Sequence, residues 1–133
     1  MGYSKKDLKI ILENITTIAV IGASSNPDRD SFKVMKYLIE KGYKVFPVNP
    51  NEKTKIHNIQ CYPKLSSIPQ KIDMVDIFRS KEFVMEITQD AIKLDVKVVW
   101  TQEGVIDKKA EDLAKNAGII FVMNKCPKKI LNN

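Results

Sequence analysis

Two arginines are the side chains best suited to bind an anionic ligand. Arg29 and Arg79 are the only arginines among the 22 basic residues, and each follows an apolar segment typical of a strand. A guanidinium donates two parallel hydrogen bonds to a phosphate, whereas a lysine ammonium acts as a point charge. Lys33, about one helical turn beyond Arg29, is a third candidate cation. Together they predict a site for a phosphate-bearing ligand, with ordinary solvated side chains as the alternative.

A run of small residues, Gly22-Ala23-Ser24-Ser25, leads from the first predicted strand toward a helix. Glycine lets the backbone approach a ligand, the serines offer hydroxyls and amides, and the helix N-terminus beyond them favours a phosphate. The segment lacks the second and third glycines of G-x-G-x-x-G and the G-K-[ST] ending of a P-loop. The acid of NAD sites, about 20 residues further on, is also missing, since Asn49-Pro50 stands there. A tight turn with a helix cap explains the segment equally well.

Two further segments follow predicted strands in the C-terminal half. Gln102, Glu103 and Gly104 form a polar turn that also fits a plain connector. Cys126 precedes a proline at a helix start, where the helix dipole favours a thiolate, although an idle cysteine is the commoner case. Because His57 is the only histidine, we expect neither a catalytic triad nor a metal site.

The segments that carry these residues alternate between apolar strands and amphipathic helices. Strands are predicted at 15–21, 43–48, 73–78, 96–100 and 119–123, with a short candidate at 59–62, and helices at 4–14, 31–41, 81–94, 107–117 and from 127. The face of the fourth helix that points inward is predicted to contain Ala110, Leu113, Ala114 and Ala117. Strands that are apolar throughout indicate a parallel sheet covered on both faces. The predicted fold class is α/β: Rossmann-like, doubly wound, with a mainly parallel sheet of five to six strands, helices on both faces and a ligand at the strands' carboxyl ends.

The composition fits one soluble domain over residues 1–133, with 44% hydrophobic and 29% charged residues. The net charge is +6, but the lysines are interleaved with acids along the whole chain, which argues against a nucleic-acid partner. The apolar runs are too short to span a membrane. Two cysteines far apart make no disulfide framework, so we expect a cytoplasmic location.

In combination, the strand-end residues resemble the small CoA-binding proteins. The resemblance rests on these segments: Ile18-Ala19-Val20-Ile21-Gly22-Ala23-Ser24, Asn26-Pro27-x-Arg29, Gly42-Tyr43-x-Val45-x-Pro47-Val48-Asn49-Pro50, Val75-Asp76-Ile77-Phe78-Arg79, Trp100-x-Gln102-x-Gly104-Val105 and Met123-x-x-Cys126-Pro127. It covers the chain from about residue 15 to residue 126. The family is similar to the CoA-binding domain of the succinyl-CoA synthetase alpha subunit, but lacks the catalytic domain and phosphohistidine segment found there.

The resemblance implies that CoA lies across the strand ends. It places Gly22, Ala23, Ser24 and Arg29 near phosphate, Val48, Asn49 and Pro50 near the adenosine with Phe78 and Arg79 beside them, and the turn Thr101-Gln102-Glu103-Gly104 near the pantetheine arm. CoA carries a 3′-phosphate and a diphosphate, which suit two arginines and a helix N-terminus. A missing ribose acid fits as well, because a carboxylate would repel the 3′-phosphate.

The sequence therefore predicts a protein that binds CoA or an acyl-CoA, with no evident catalytic machinery of its own. Three alternatives stay open: an NAD(H)-binding redox-sensing module, a regulatory subunit of an acyl-CoA enzyme, and a thiol enzyme in which Cys126 forms a mixed disulfide with CoA. A homodimer or a complex with an acyl-CoA enzyme is compatible with the sequence.

Overall fold

The computed structural model describes residues 2–132 and contains one parallel five-stranded sheet. Its strands are Thr17–Ile21 (β1), Lys44–Val48 (β2), Met74–Ile77 (β3), Val98–Thr101 (β4) and Ile120–Val122 (β5). The helices are Lys5–Glu13 (α1), Asp30–Glu40 (α2), Val84–Lys93 (α3), Lys108–Asn116 (α4) and Pro127–Leu131 (α5). The strand order is β2-β1-β3-β4-β5, with every neighbouring pair parallel. The predicted Rossmann-like α/β fold is confirmed.

Each face of the sheet is covered by helices, because the strands are apolar on both sides. Alternate strand residues such as Ile18, Val20 and Trp100 pack with the buried side chains of α1, α2 and α5. The intervening residues, such as Ala19 and Val75, pack with those of α3 and α4. This two-sided burial is the reason that β-branched residues run through the strands without polar alternation.

The strand order reverses between β1 and β3, so the loops that follow these strands diverge from one point at the carboxyl edge of the sheet. A crevice at such a switch point is where doubly wound folds bind ligands. The Phe78 amide donates to the Ile21 carbonyl at 2.7 Å, and the Gly22 amide donates to the Val48 carbonyl at 2.9 Å. The three strand ends β1, β2 and β3 are thereby held together below the crevice.

Three details of the prediction were wrong. The segment 59–62 is not a strand, since it makes only isolated bridges, from Ile59 to Ile56 and from Tyr62 to Val48. The helix α2 begins at Asp30, one residue before the predicted Ser31. In α4, Ala110 and Ala114 face inward as predicted, but Leu113 is 37% exposed, and Ala117 is exposed too. The buried face of α4 is therefore narrower than the spacing of its apolar residues predicts.

Three predicted helix ends are confirmed: the start of α1 and the ends of α2 and α4. Ser4 and Asp7 form a reciprocal capping box on α1, with hydrogen bonds of 3.1 and 3.2 Å between side chains and amides. Gly42 and Gly118 follow α2 and α4 at φ values of +100° and +79°, which only glycine adopts without strain. Among residues 2–132, no helix is both long and apolar enough to cross a membrane.

Candidate functional site: a cleft at the switch point

A cleft of about 540 Å³ opens above the carboxyl ends of β1, β2 and β3. The loops after these three strands and the first turn of α2 line it. The lining residues are Gly22, Ser24, Asp28, Arg29, Asp30, Ser31, Asn49, Asn51, Phe78 and Arg79. Six predicted site residues thus share one cleft, although they come from three separate parts of the sequence.

Gly22 makes the cleft possible in a way that the sequence did not reveal. Its φ is +87°, and a Cβ built on it would lie 2.4 Å from the Phe78 carbonyl oxygen and 2.9 Å from Cδ of Arg79. Real Cβ contacts are never this short, so any side chain here would force the loops after β1 and β3 apart. The glycine is required by the close approach of the protein's own backbone, whether or not a ligand is bound.

The N-terminus of α2 offers free backbone donors to the cleft. Arg29 is the N-cap residue, and its side chain makes no capping hydrogen bond. The amides of Phe32 and Lys33 both donate to the Arg29 carbonyl, at 3.1 and 3.3 Å. The amides of Asp30 and Ser31, the first two residues of α2, therefore stand where an anion binds at a helix N-terminus.

The two arginines reach the cleft from different sides. Arg29 is exposed at the start of α2, whereas Arg79 is half-buried after β3, with its guanidinium 3.9 Å from the centre of the Phe83 ring. That stacking restrains Arg79 while leaving its donors free for a ligand. The carboxylates of Asp28 and Asp30 also line the cleft, so its charge is mixed and the arginines supply the attraction for an anion.

Of the three residues predicted at the end of β2, only Asn49 lines the cleft. The Asn49 amide group donates to the Ala23 carbonyl at 2.8 Å and ties the loops after β1 and β2 together. Ala23 is fully buried, and Val48 is 3% exposed. Val48 and Pro50 also line a smaller, mainly apolar pocket of about 130 Å³, which Arg79 borders as well. Arg79 thus lies between the cleft and an apolar pocket.

A second cavity of about 420 Å³ adjoins the cleft, because Asp30 and Phe78 line both. Four other predicted residues line this second cavity and not the first: Lys33, Gln102, Glu103 and Cys126. Glu103 is paired with Lys129 at 2.7 Å. Gly104, at φ +86°, lies outside both linings, and its amide donates to the Asn124 side chain at 2.7 Å. Ten of the fifteen predicted site residues thus line two adjoining cavities, and five lie outside both linings: Ala23, Ser25, Val48, Pro50 and Gly104.

Asp76, in the middle of β3, is a buried acid whose role the sequence did not reveal. It is 0% exposed, its Oδ1 accepts a hydrogen bond from the Gln102 side chain, and its Oδ2 has no partner among the described residues. Burial raises the pKa of the Asp76 carboxyl well above its ordinary value, against a smaller opposing effect of the Gln102 hydrogen bond. Asp76 therefore anchors Gln102, a lining residue of the second cavity. The only indication in the sequence is that Asp76 is the one polar residue within the apolar strand β3.

Glu52 supplies an acid beside the loop after β1, although the end of β2 itself is followed by Asn49-Pro50 and not by an acid. Its carboxylate accepts hydrogen bonds from the Ser25 amide at 3.1 Å and from the Thr54 hydroxyl at 2.9 Å. The Ser25 hydrogen bond is the largest cause of a lowered Glu52 pKa, so the carboxylate is ionised at neutral pH. The acid lies beyond Asn49-Pro50, where sequence spacing alone did not place it.

The two cysteines lie in different surroundings. Cys61 is half-buried beside the Asn49 carbonyl, and burial raises the pKa of its thiol. It lies outside any strand, contrary to the prediction. Cys126 is half-buried at the N-cap position of α5. Within residues 2–132, no group of three or more His, Cys, Asp or Glu side chains is placed to hold a metal ion.

The profile of the CoA binding domain matches residues 16–132. The chain belongs to the CoA-binding domain family. It is 33% identical over 125 residues to the uncharacterized protein YneT of Bacillus subtilis, covering 94% of this chain and 92% of that protein. A hypothetical protein from Pyrococcus horikoshii OT3 has a structure similar at a TM-score of 0.93, with 40% identity, covering 98% of this chain and 92% of that one.

Larger members of the CoA-binding domain family contain this fold as one part. The alpha subunit of acetate–CoA ligase (ADP-forming) I from Pyrococcus furiosus is 36% identical over 93 residues, covering 66% of this chain. The matched region is only 20% of that subunit. This chain therefore corresponds to about a fifth of the ligase subunit, and the predicted resemblance to CoA-binding proteins is confirmed.

Proposed function

We propose that this protein binds CoA, or an acyl-CoA, in the cleft at the switch point. The observation that carries the proposal is the joint presence of Arg29, Arg79 and the uncapped start of α2 around one cleft of about 540 Å³. Two guanidinium groups and free helix amides suit a ligand with several phosphates. Membership of the CoA-binding domain family supports CoA over other phosphate-bearing ligands.

In this proposal each part of CoA meets a different part of the cleft. The diphosphate lies against Arg29 and the start of α2, as anions do at helix N-termini. The adenosine lies toward Asn49 and Pro50, and its 3′-phosphate meets Arg79, which borders both the cleft and the apolar pocket. The pantetheine arm passes Phe78 into the second cavity, toward Gln102 and Cys126.

The proposal includes no chemical step by this chain. The ligase chains that it resembles are about five to six times as long as the matched region, so their reaction is not transferred to it. A role as the CoA-binding partner of an acyl-CoA enzyme fits this correspondence. Co-purification with such an enzyme would support that role, and an isolated monomer or homodimer would oppose it.

The test is a calorimetric titration of ligand-stripped protein with CoA, 3′-dephospho-CoA and NADH. We expect CoA to bind at about micromolar Kd, with dephospho-CoA weaker. Arg29→Ala should weaken both CoA forms alike, by roughly 10- to 100-fold for a lost charge-assisted contact. Arg79→Ala should weaken CoA by a similar factor and dephospho-CoA much less, since only CoA has the 3′-phosphate.

Matched variants separate the contacts from charge alone. Arg29→Lys and Arg79→Lys keep the charge but lose the two-donor fork, so they should recover only part of the affinity. Lys93→Ala, at the exposed C-terminal end of α3, removes one positive charge away from the cleft and should leave affinity unchanged. Unchanged CoA affinity in both arginine→alanine variants would overturn the proposed site.

An NAD(H)-binding module is the second candidate, and the Glu52 carboxylate favours it. Acids near the end of the second strand accept the ribose hydroxyls of NAD in doubly wound folds, and Glu52 lies at the corresponding loop. Tight NADH binding, together with no detectable binding of CoA in the same calorimetric titration, would favour this candidate.

A cytoplasmic location is part of the proposal. Its support is that both cysteines are free and half-buried in the structure, as in proteins of reducing compartments. Fractionation of cells that express the tagged chain tests it, and recovery outside the cytosolic fraction would contradict it.

A further inference from the structure

The Glu52 carboxylate joins the loops that follow β1 and β2. Glu52 lies four residues beyond the end of β2, and Ser25 lies four residues beyond the end of β1. One carboxylate oxygen accepts the Ser25 amide at 3.1 Å and the other accepts the Thr54 hydroxyl at 2.9 Å. Two hydrogen bonds hold the group in place, next in sequence to Asn51, which lines the cleft. A negative charge is therefore fixed between the two loops: Glu52 does not itself line the cleft, but Ser24 and Asn51, the neighbours in sequence of Ser25 and Glu52, do.

Asn51 lies on the side of the cleft where the proposed function places the adenosine. In doubly wound folds, a carboxylate after the second strand accepts a hydrogen bond from a ribose hydroxyl. The adenosine ribose of CoA has a free 2′-hydroxyl and a phosphate on the neighbouring 3′-oxygen. A carboxylate at this position therefore attracts the hydroxyl and repels the phosphate.

We propose that Glu52 is a specificity-determining residue that reads whether the ligand's ribose is phosphorylated. It accepts a hydrogen bond from the free ribose hydroxyl and raises the free energy of a ligand that carries a 3′-phosphate. This inference rests on the proposed function, since it concerns the same cleft. Arg79 and Glu52 then act in opposite directions on one phosphate, and the selectivity of the cleft is the difference between the two effects.

The substitution Glu52→Gln tests this inference because it removes the charge and keeps an oxygen acceptor for the Ser25 amide. The measured quantity is the ratio of the dephospho-CoA Kd to the CoA Kd, from titrations of the wild-type protein and the variant. We expect Glu52→Gln to raise the ratio by about fivefold, the effect of one unit charge at about 4 Å in water. CoA should bind more tightly and dephospho-CoA no better than before.

A matched control is Glu40→Gln, which removes one negative charge at the exposed C-terminal end of α2. The helix has 11 residues, so this end lies about 15 Å from the cleft. The ratio should not change in the control. A thermal midpoint of Glu52→Gln equal to that of the wild-type protein shows that the loops after β1 and β2 stay in place.

The other outcomes separate this inference from the proposed function. An unchanged ratio, or equal tightening of both ligands, overturns the inference while CoA binding stands. If neither CoA nor dephospho-CoA binds the wild-type protein, the proposed function fails, and NADH then decides the inference. Its adenosine ribose has both hydroxyls free, so weaker NADH binding by Glu52→Gln upholds the role of Glu52. Absent NADH binding, or binding that is the same in both proteins, overturns it.

Discussion

At Gly22, the backbone of β1 leaves the sheet directly against the end of β3. A side chain there would meet the Phe78 carbonyl at 2.4 Å and would also require φ of +87°. The same glycine lines the proposed ligand cleft. Packing of the fold and shape of the site therefore depend on one residue, and a larger residue would damage both.

We expect Gly22→Ala to lower the free energy of unfolding by about 2–4 kcal/mol, from backbone strain and a steric clash together. Gly42→Ala is the matched control, because Gly42 also has positive φ, +100°, yet no described atom lies within 4 Å of its built Cβ. Strain alone should cost the control about 1 kcal/mol. Urea denaturation measures both values, and equal losses would show that the contact with Phe78 is unimportant.

The buried Asp76 carboxyl predicts a pH-dependent stability. Its folded-state pKa is raised by burial above the ordinary value of 3.8, so the folded protein binds more protons than the unfolded chain between the two values. Its contribution to stability therefore falls as pH rises above about 4, with a slope of at most about 1.4 kcal/mol per pH unit, and levels off above the folded-state pKa.

The Asp76→Asn variant lacks this titration, which makes it the reference for the wild-type protein. The free energy of unfolding of the variant minus that of the wild-type protein should increase from pH 4 toward neutral pH. Taking the difference cancels acids whose pKa values are lowered in both proteins, such as Asp73 and Glu111. Parallel stability curves over this pH range would contradict the prediction.

Residue types directly after strands predicted much of the cleft, because parallel strands bring their carboxyl ends to one edge of the sheet. Arg29 and Arg79 were predictable for that reason. The contacts of Glu52 with Ser25 and of Gln102 with Asp76 were not, since they join residues 27 and 26 positions apart through loops. The hydrophobic periodicity that predicts strands and helices gives no information about which loops contact each other.

At the scale of the elements, α2 has weaker local stabilisation at its start than α1 or α4. Ser4 and Asp107 cap α1 and α4 with side-chain hydrogen bonds, whereas Arg29 at the N-cap of α2 makes none. Arg29 has φ −80° and ψ 143°, the extended conformation that serine adopts at N-caps. An uncapped start costs stability but leaves amides for an anion.

We therefore expect Arg29→Ser to stabilise the fold by about 0.5–1 kcal/mol while weakening CoA binding. Ser4→Ala, which removes the capping hydrogen bond of α1, should destabilise it by about 1 kcal/mol and leave CoA affinity unchanged. Chemical denaturation and calorimetric titration of both variants check the two effects. Lower stability of Arg29→Ser would show that its hydroxyl does not cap α2.

The order of the elements was predictable because uninterrupted apolar strands and amphipathic helices have different periods. The residues at which each element begins and ends, and the side chains it buries, were less predictable. The candidate strand at 59–62 has apolar residues, but its backbone pairs only at isolated bridges. Leu113 shows the same limit in α4, because helical spacing gives its direction from the helix axis but not how completely neighbouring elements cover it.

At the scale of the whole molecule, the proposed ligand contacts loops from β1, β2 and β3, which form the centre and one edge of the sheet. Ligand that binds only the folded chain stabilises it by RT ln(1 + [L]/Kd). CoA at 100 times its Kd therefore adds about 2.7 kcal/mol, which corresponds to a rise in Tm of about 8–12 °C for a domain of this size.

The expected rise separates CoA binding in the cleft from weak binding to surface lysines, since 20 of the 22 basic residues are lysines. Surface attraction acts on the unfolded chain too, and it produces little shift. At the same CoA concentration, the rise in Tm of Arg29→Ala should be about half that of the wild-type protein. The reason is that a tenfold higher Kd lowers the stabilisation by bound CoA by about 1.4 kcal/mol. Equal shifts in Arg29→Ala and the wild-type protein, measured by scanning calorimetry, would place the ligand away from α2 and the switch point.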